Sequence, residues 1–179
     1  YFAEEIFPPI RQNFQEAIFQ IVGRRPPKAV QRLSRIDGVQ VVGEVADVRS
    51  YLVCADVSVA PMRIARGVQN KVLEAMALGV PVVATPAAIE GIEVSNGEDV
   101  LIATTAEQFA QRVTQLLRNA DLRKTMTKKA WNKMNQFYNW DLIGSKLERL
   151  LKNEPLQDDV PTNDDLSVGL RERVIKEQR

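Results

Sequence analysis

Three observations in this chain predict a doubly wound, parallel α/β sheet. Short apolar runs bounded by glycine alternate with segments of helical spacing. The runs are rich in Val and Ile and lack strict alternation, as strands covered on both faces do. The junction Gly79-Val-Pro81 leads from a helix directly into a run with no polar residue, Pro81-Val-Val-Ala, closed by Thr85. Strands joined through helices form parallel sheets with right-handed crossovers, a Rossmann-like architecture whose ligands bind beyond the carboxyl ends of the strands.

The elements follow in order. A first helix reaches to about Gln15; a parallel unit wants a strand ahead of it, and none precedes it here. Ala17-Ile-Phe-Gln-Ile-Val22, ended by Gly23, is a strand. Lys28 to Ile36 has helical spacing through Val30, Leu33 and Ile36. Gly38 to Gly43 is a strand, Val48 to Ala55 a short helix and Val57 to Met62 a strand. A helix from about Gly67 to Gly79 precedes the strand at 81–85. Ala88 to Gly97 is a loop with a turn at Asn96-Gly97. Val100-Leu-Ile-Ala is the last strand. Thr105 with Gln108 has capping-box spacing and opens a helix whose apolar face runs through Phe109, Val113, Leu116 and Leu117. Another helix runs from Asn119-Ala-Asp121 to about Phe137. A final one carries Leu142, Ile143, Leu147, Leu150 and Leu151 on one side. The domain is read as residues 1–151. Residues 152–179, rich in Pro, Asn and Asp at first and mixed in charge later, read as a polar flexible tail, and the paired aspartates there as solvated charge.

Composition narrows the functions available. The chain has 179 residues, 45% of them hydrophobic and 26% charged, ordinary for a soluble domain with a real core. A formal net charge of +1 disfavours nucleic-acid binding through bulk electrostatics. No run approaches the roughly 18 to 20 apolar residues of a membrane span. The opening Tyr1-Phe-Ala-Glu-Glu has no basic n-region, so it is not a signal peptide and reads as the interior of a longer chain. The single cysteine, Cys54, offers no disulfide framework and reads as a buried structural thiol. Histidine is absent, which excludes a Ser-His-Asp triad or a His-ligated metal within these residues, and no metal site is expected.

The segment Arg66-Gly-Val-Gln-Asn-Lys-Val-Leu-Glu74 carries the chemistry. Gly67 opens a helix whose first free N–H groups and partial positive charge suit a phosphate or diphosphate. Lys71 in the first turn opposes the macrodipole unless an anion sits there. Glu74 falls roughly 10 Å along the axis from Gly67 at 1.5 Å per residue, about the reach from a diphosphate to the ribose of one nucleotide. Its plain alternative is an i, i+3 pair with Lys71 worth about 0.2–0.5 kcal/mol. Gln69 and Asn70 are polar residues of the same turn. Val68, Val72, Leu73 and Met76 supply packing. Gly23, Arg24 and Arg25 follow one strand end, and Val45 and Asp47 follow the next, where a nucleotide base would lie against backbone. Trp131 and Trp140 read as packing residues.

In chain order, Ile21-Val-Gly-Arg, Val42-Gly-Glu-Val-Ala-Asp-Val-Arg-Ser-Tyr-Leu, Ala55-Asp-Val-Ser-Val-Ala-Pro, the Gly67 to Ala77 segment, Gly79-Val-Pro-Val-Val-Ala-Thr and Glu90-Gly-Ile…Gly97-Glu-Asp-Val-Leu-Ile-Ala form a set. This set, over about residues 1–151, resembles the C-terminal domain of GT-B glycosyltransferases, in particular the large retaining family 4. A bacterial group of sugar transferases tied to exopolysaccharide and protein-sorting clusters is similar too. The resemblance implies the C-terminal half of a GT-B fold that binds a nucleoside diphosphate sugar and needs no further cofactor. It also implies an N-terminal GT-B domain as partner, an acceptor glycan or lipid-linked sugar, and transfer with retention in polysaccharide biosynthesis. A cytoplasmic setting, peripheral at the inner membrane for the whole protein, follows from the same likeness, as does self-association of the isolated half. Glu74 matches the second glutamate of the family's Glu-x7-Glu pattern, the ribose ligand. The first falls at Arg66, and a branch of the family similarly keeps only Gly-x3-Lys-x2-Glu. Lys71 and Arg66 are therefore the residues expected to act on the donor in catalysis. Gly67, Val68, Gln69, Asn70, Glu74, Gly23, Arg24 and Val45 are the residues expected to bind it. A non-catalytic nucleotide-binding or structural module, and half of a nucleotide-sugar epimerase, are the alternatives.

Overall fold

The computed structural model describes residues 1–138, 144 and 148–152. It divides into two units, Tyr1–Met134 and Asn135–Arg179. The first unit holds the five strands found among the described residues, and all of them pair in parallel.

A wide helical turn, Phe2–Ile6, leads into helix α1, Phe7–Asn13. Pro8 and Pro9 sit in its first turn, where their missing N–H groups cost nothing. Strand β1, Phe19–Val22, pairs with β2, Val39–Gly43, in the register Phe19 to Val39 and Ile21 to Val41, with an irregularity after Ile21. Between them the expected single helix is a short α2, Lys28–Gln31, that tightens into a 3-10 turn, Arg32–Arg35. Leu33 and Ile36 still pack on the core.

Helix α3 is Arg49–Val53. The second sheet has the order β3-β4-β5, with β3 Ser58–Ala60, β4 Val82–Ala84 and β5 Leu101–Ile102. The sequence-predicted strands are each one to three residues longer than those observed. Strand β4 is fully buried, as its unbroken apolar run requires.

Helix α4, Asn70–Ala77, ends at Gly79, whose φ of +72° allows the reversed turn that sends the chain into β4. A 3-10 turn, Pro86–Ile89, interrupts the expected loop. Helix α5, Ala106–Arg118, is capped by Thr105, whose hydroxyl accepts from the Gln108 N–H at 3.2 Å. The Gln108 side chain closes back on the N–H and hydroxyl of Thr104, one residue earlier than a reciprocal box would place it. Helix α6 is Ala120–Phe137.

The core lies between the sheets and the layer of α1 and α5. Phe2, Phe7, Phe19 and Phe109 form its aromatic centre, with Phe2 4.5 Å from Phe19 and 5.7 Å, edge-on, from Phe109. Two expectations for single residues fail. Cys54 is exposed rather than buried, because it closes the five-residue α3 instead of lying on its packed side. Val68 is 46% exposed and is not a packing residue, whereas Val72 and Met76 are buried as expected. The calls on Trp140, on Leu142, Ile143 and Leu147, and on the tail beyond Lys152 lie outside the described residues. No described helix is long and apolar enough to cross a membrane.

Candidate functional site

The β3–α4 connection is pinned at its start and shaped at its end. The buried Thr85, just after β4, donates its hydroxyl to the Met62 carbonyl, and its N–H donates to the Ala60 carbonyl at 3.2 Å. A threonine ending an apolar strand is the signal by which sequence reading should have found this clamp. At the other end Gly67 has a φ of +67°, with open space where a Cβ would stand. Its glycine is therefore required by backbone conformation rather than by crowding. The Gln69 amide folds back and donates to the Gly67 carbonyl at 2.9 Å and to the Arg66 carbonyl at 3.2 Å. Gln69 thus holds the loop with its NH2 group instead of reaching outward with it.

Helix α4 begins at Asn70, three residues later than expected, with Gln69 as its N-cap in an extended conformation. The cause is the left-handed Gly67, which breaks any earlier helical turn. No side chain caps this helix, so the N–H groups of Asn70 and Lys71 lack intrahelical partners. The later start puts Lys71 in the first turn proper and brings Glu74 to about 6 Å along the axis from Asn70. The span of about 10 Å holds only from the glycine loop. Lys71, Glu74 and Arg66 are all exposed. None of the three takes part in an ion pair among the described residues. The i, i+3 pairing that would have explained Lys71 and Glu74 without a ligand is not made. The first turn also contains no acidic residue, so Lys71 adds to the positive end of the helix uncompensated.

A neighbouring loop completes this edge. A Cβ at Gly91 would stand 3.5 Å from Val68, so the Glu90-Gly-Ile segment lies against the β3–α4 loop. The following turn is fixed by Asp99, which is 1% exposed. Its carboxylate accepts from the Ser95 N–H at 2.8 Å and pairs with Lys133 of α6 at 2.9 Å. Lys133 also donates to the Ser95 hydroxyl at 2.8 Å. Sequence reading missed this buried charge because its partner lies on another element.

Gly23 and Arg24 lie past β1, and Val45 lies past β2. The Gly23 N–H donates to the Gly43 carbonyl at 2.8 Å, which draws these two strand ends together. Arg24 is exposed, and Arg25 has the one positive φ among described non-glycine residues, +48°. Such a conformation is uncommon outside glycine and marks a loop held in a particular shape. Asp47 does not reach outward. Its carboxylate accepts from the Arg49 N–H at 2.9 Å and pairs with the Arg49 guanidinium at 3.0 Å. The Arg49 side-chain hydrogen bond, then its backbone N–H, hold the Asp47 carboxyl below its ordinary value. The structure thus gathers Arg66 to Glu74 on one loop and helix, and Gly23, Arg24 and Val45 on the other sheet. Two concavities, of about 470 and 280 Å³, are lined respectively by α1 and α5 and by the region around Phe7 and Ile36. Neither includes a residue of the candidate site. No cluster of metal-ligating side chains occurs among the described residues.

With this geometry, the comparisons place the chain. Residues 1–119 match the family model described as Glycosyl transferases group 1, and the chain belongs to that family. Solved structures share the fold. Anabaena HepE, determined in complex with UDP and glucose, superposes with a TM-score of 0.70 at 18% identity over 82% of this chain. Sucrose-phosphate synthase from Thermosynechococcus elongatus gives 0.69 at 22% identity over 83% of this chain. The C-terminal domain of a group 1 glycosyl transferase, LpcC, from Francisella tularensis gives 0.66 at 18% identity, with 76% of this chain matching 79% of that domain. No curated protein matches the chain. The chain spans 43% of HepE and 41% of the synthase, less than half the length of either. The parallel α/β reading therefore holds, and the fold matches the Rossmann-like C-terminal domains of GT-B glycosyltransferases.

Proposed function

We propose that this domain holds the nucleoside diphosphate sugar of a two-domain glycosyltransferase that transfers the sugar to an acceptor with retention of configuration. One observation carries the reading: an uncapped helix N-terminus, entered through a left-handed glycine, presents Lys71 and Glu74 to solvent with neither charge paired. The diphosphate accepts hydrogen bonds from the Asn70 and Lys71 N–H groups and is neutralised by the Lys71 ammonium. Glu74, one turn further along, accepts from the ribose hydroxyls. When the bond from the sugar to the diphosphate breaks, negative charge grows on the leaving group. The helix end and Lys71 stabilise that charge in place, without a metal. Gly67 lets the backbone approach the phosphates. The Val68 backbone continues the same surface, and Gly23, Arg24 and Val45 supply the opposite wall for the base.

The chain-ordered motifs of the retaining family support the stereochemistry, and an acceptor glycan or lipid-linked sugar in bacterial polysaccharide biosynthesis is the setting they suggest. The acceptor side belongs to an N-terminal GT-B domain, consistent with the share of its relatives that this chain spans. That setting is cytoplasmic, at the inner face of the membrane. UDP is the first nucleotide to test, because HepE was determined with it. Calorimetric titration of the chain with UDP, GDP, ADP and TDP is the direct test. Saturable binding of one nucleoside diphosphate, with the nucleoside alone much weaker, is expected; binding of none at millimolar concentration would remove the reading.

A further inference from the structure

Residues 24–35, which join β1 to β2, carry five cations and no acidic residue. Arg24, Arg25, Lys28, Arg32 and Arg35 are all exposed. None of the five makes a side-chain hydrogen bond or ion pair among the described residues. Elsewhere in the first unit Arg11 pairs with Asp37, Arg49 with Asp47, Arg123 with Asp56, Lys129 with Glu98 and Lys133 with Asp99. The acids that flank the strip leave it positive. Asp37 and Asp47 are taken by Arg11 and Arg49, and Glu16 and Glu44 make no ion pair among the described residues. Lys28, Arg32 and Arg35 follow one another at four and three residues, one turn each of α2 and of its 3-10 continuation, so they share a side. At 1.5 and 2.0 Å per residue they span roughly 12 Å. Leu33 and Ile36 meanwhile pack on the core. Like charges one turn apart destabilise a helix. The strip therefore works against the segment that carries it until an anion covers it.

We propose that this strip is a docking face for an anionic phospholipid surface. Clusters of this size on one side of a helix are drawn to negatively charged bilayers, and each Lys or Arg near the surface strengthens binding about fivefold. Residues 23–36 contain no aromatic residue. They offer neither the stacking platform of single-stranded nucleic acid nor the aromatic anchor of a protein–protein contact. None of the exposed large hydrophobic side chains falls in the strip, so nothing there inserts among acyl chains. Charge spread over an exposed side, with no anchor, fits a partner whose own charge is spread: a sheet of phosphate head groups. Contact of this kind is reversible and is screened by salt. A setting at the membrane leaves the contact face open; this strip supplies one, whether or not α4 holds a donor.

Cosedimentation of the 179-residue chain with lipid vesicles tests this. The chain should bind vesicles that contain about one third phosphatidylglycerol and ignore vesicles of phosphatidylcholine alone, and the binding should vanish at about 0.5 M salt. Arg32→Glu with Arg35→Glu should weaken it at least about tenfold. Lys124→Glu with Lys128→Glu is the control, since both are exposed lysines of α6 and the change in net charge is the same. That pair should alter binding less than about twofold. Equal losses from the two pairs would overturn the proposal, because net charge alone would then be acting. Equal binding to neutral and anionic vesicles, or no binding to anionic vesicles at low salt, would also overturn it. So would a single-stranded oligonucleotide that displaces the chain from vesicles and itself loses affinity with the Arg32 and Arg35 changes. Should the glutamate pair unfold, Arg32→Gln with Arg35→Gln removes the charges without reversing them and should still weaken vesicle binding several-fold; unchanged binding would count against the strip.

Discussion

At the scale of single residues the structure separates side chains held within the fold from those that face solvent. The Glu74 side chain has no hydrogen-bond or ion-pair partner among the described residues, so Glu74→Ala should leave Tm nearly unchanged. Its cost should fall on nucleotide affinity, by about 1.5–3 kcal/mol, the range for hydrogen bonds to a charged group. Calorimetry with wild type and variant measures this, and an unaltered Kd would withdraw Glu74 from the ribose. Lys71→Ala should weaken the nucleoside diphosphate and spare the nucleoside; equal losses would place Lys71 away from the phosphates. Arg66, exposed and unpaired, stands one residue before the left-handed glycine. As a ligand for the diphosphate or for an acidic donor sugar, it should tolerate Arg66→Glu poorly, because the substitution adds repulsion beside the phosphates. Equal or tighter donor binding by Arg66→Glu would show that Arg66 faces only water. Asp47 is a contrasting case. Arg49 lowers its carboxyl below the ordinary 3.8. Its pairing therefore contributes fully above the range where the unfolded group titrates and is lost as pH falls through the lowered value. Arg49→Ala should return the Asp47 titration, followed by carboxyl NMR, toward 3.8.

Secondary-structure elements show how far the sequence could be read. Periodicity located the five described strands and the α-helices between them, because apolar runs and 3.6-residue spacing report burial directly, but it did not show the 3-10 turns at Arg32–Arg35 and Pro86–Ile89. The Thr105 cap was legible because the bond it makes is local. Thr105→Ala should accordingly cost about 1 kcal/mol in denaturant unfolding. The start of α4 was misplaced because one left-handed residue outweighs three of helical propensity, and spacing says nothing about φ. The exposure of Cys54 was hidden for another reason: five residues of helix are too few for an apolar stripe to declare its inner side. For the site, the loop and helix carrying Arg66 to Glu74 were visible as a motif. What Gln69 and Asp47 do was not, since both turn to backbone or side chains within three residues and a sequence does not show which way a polar group turns.

For the whole molecule, the chain spans less than half of several relatives of the same fold, and the isolated domain is not expected to transfer sugar. Catalytic turnover by the purified 179-residue chain with any acceptor would contradict the two-domain reading. The described end of the chain leaves Leu150 55% and Leu151 78% exposed, which favours self-association, and light scattering at rising concentration should detect it. The Asp99–Lys133 pair also binds distant parts of the sequence into one inheritance. A buried carboxylate that loses its cation keeps only its bond from the Ser95 N–H, a loss of about 1–3 kcal/mol. Neither residue can then drift alone. Among relatives, positions 99 and 133 should change together or stay put. A chain cut anywhere before Lys133 would loosen the turn at Ser95 through a residue that the cut never touched.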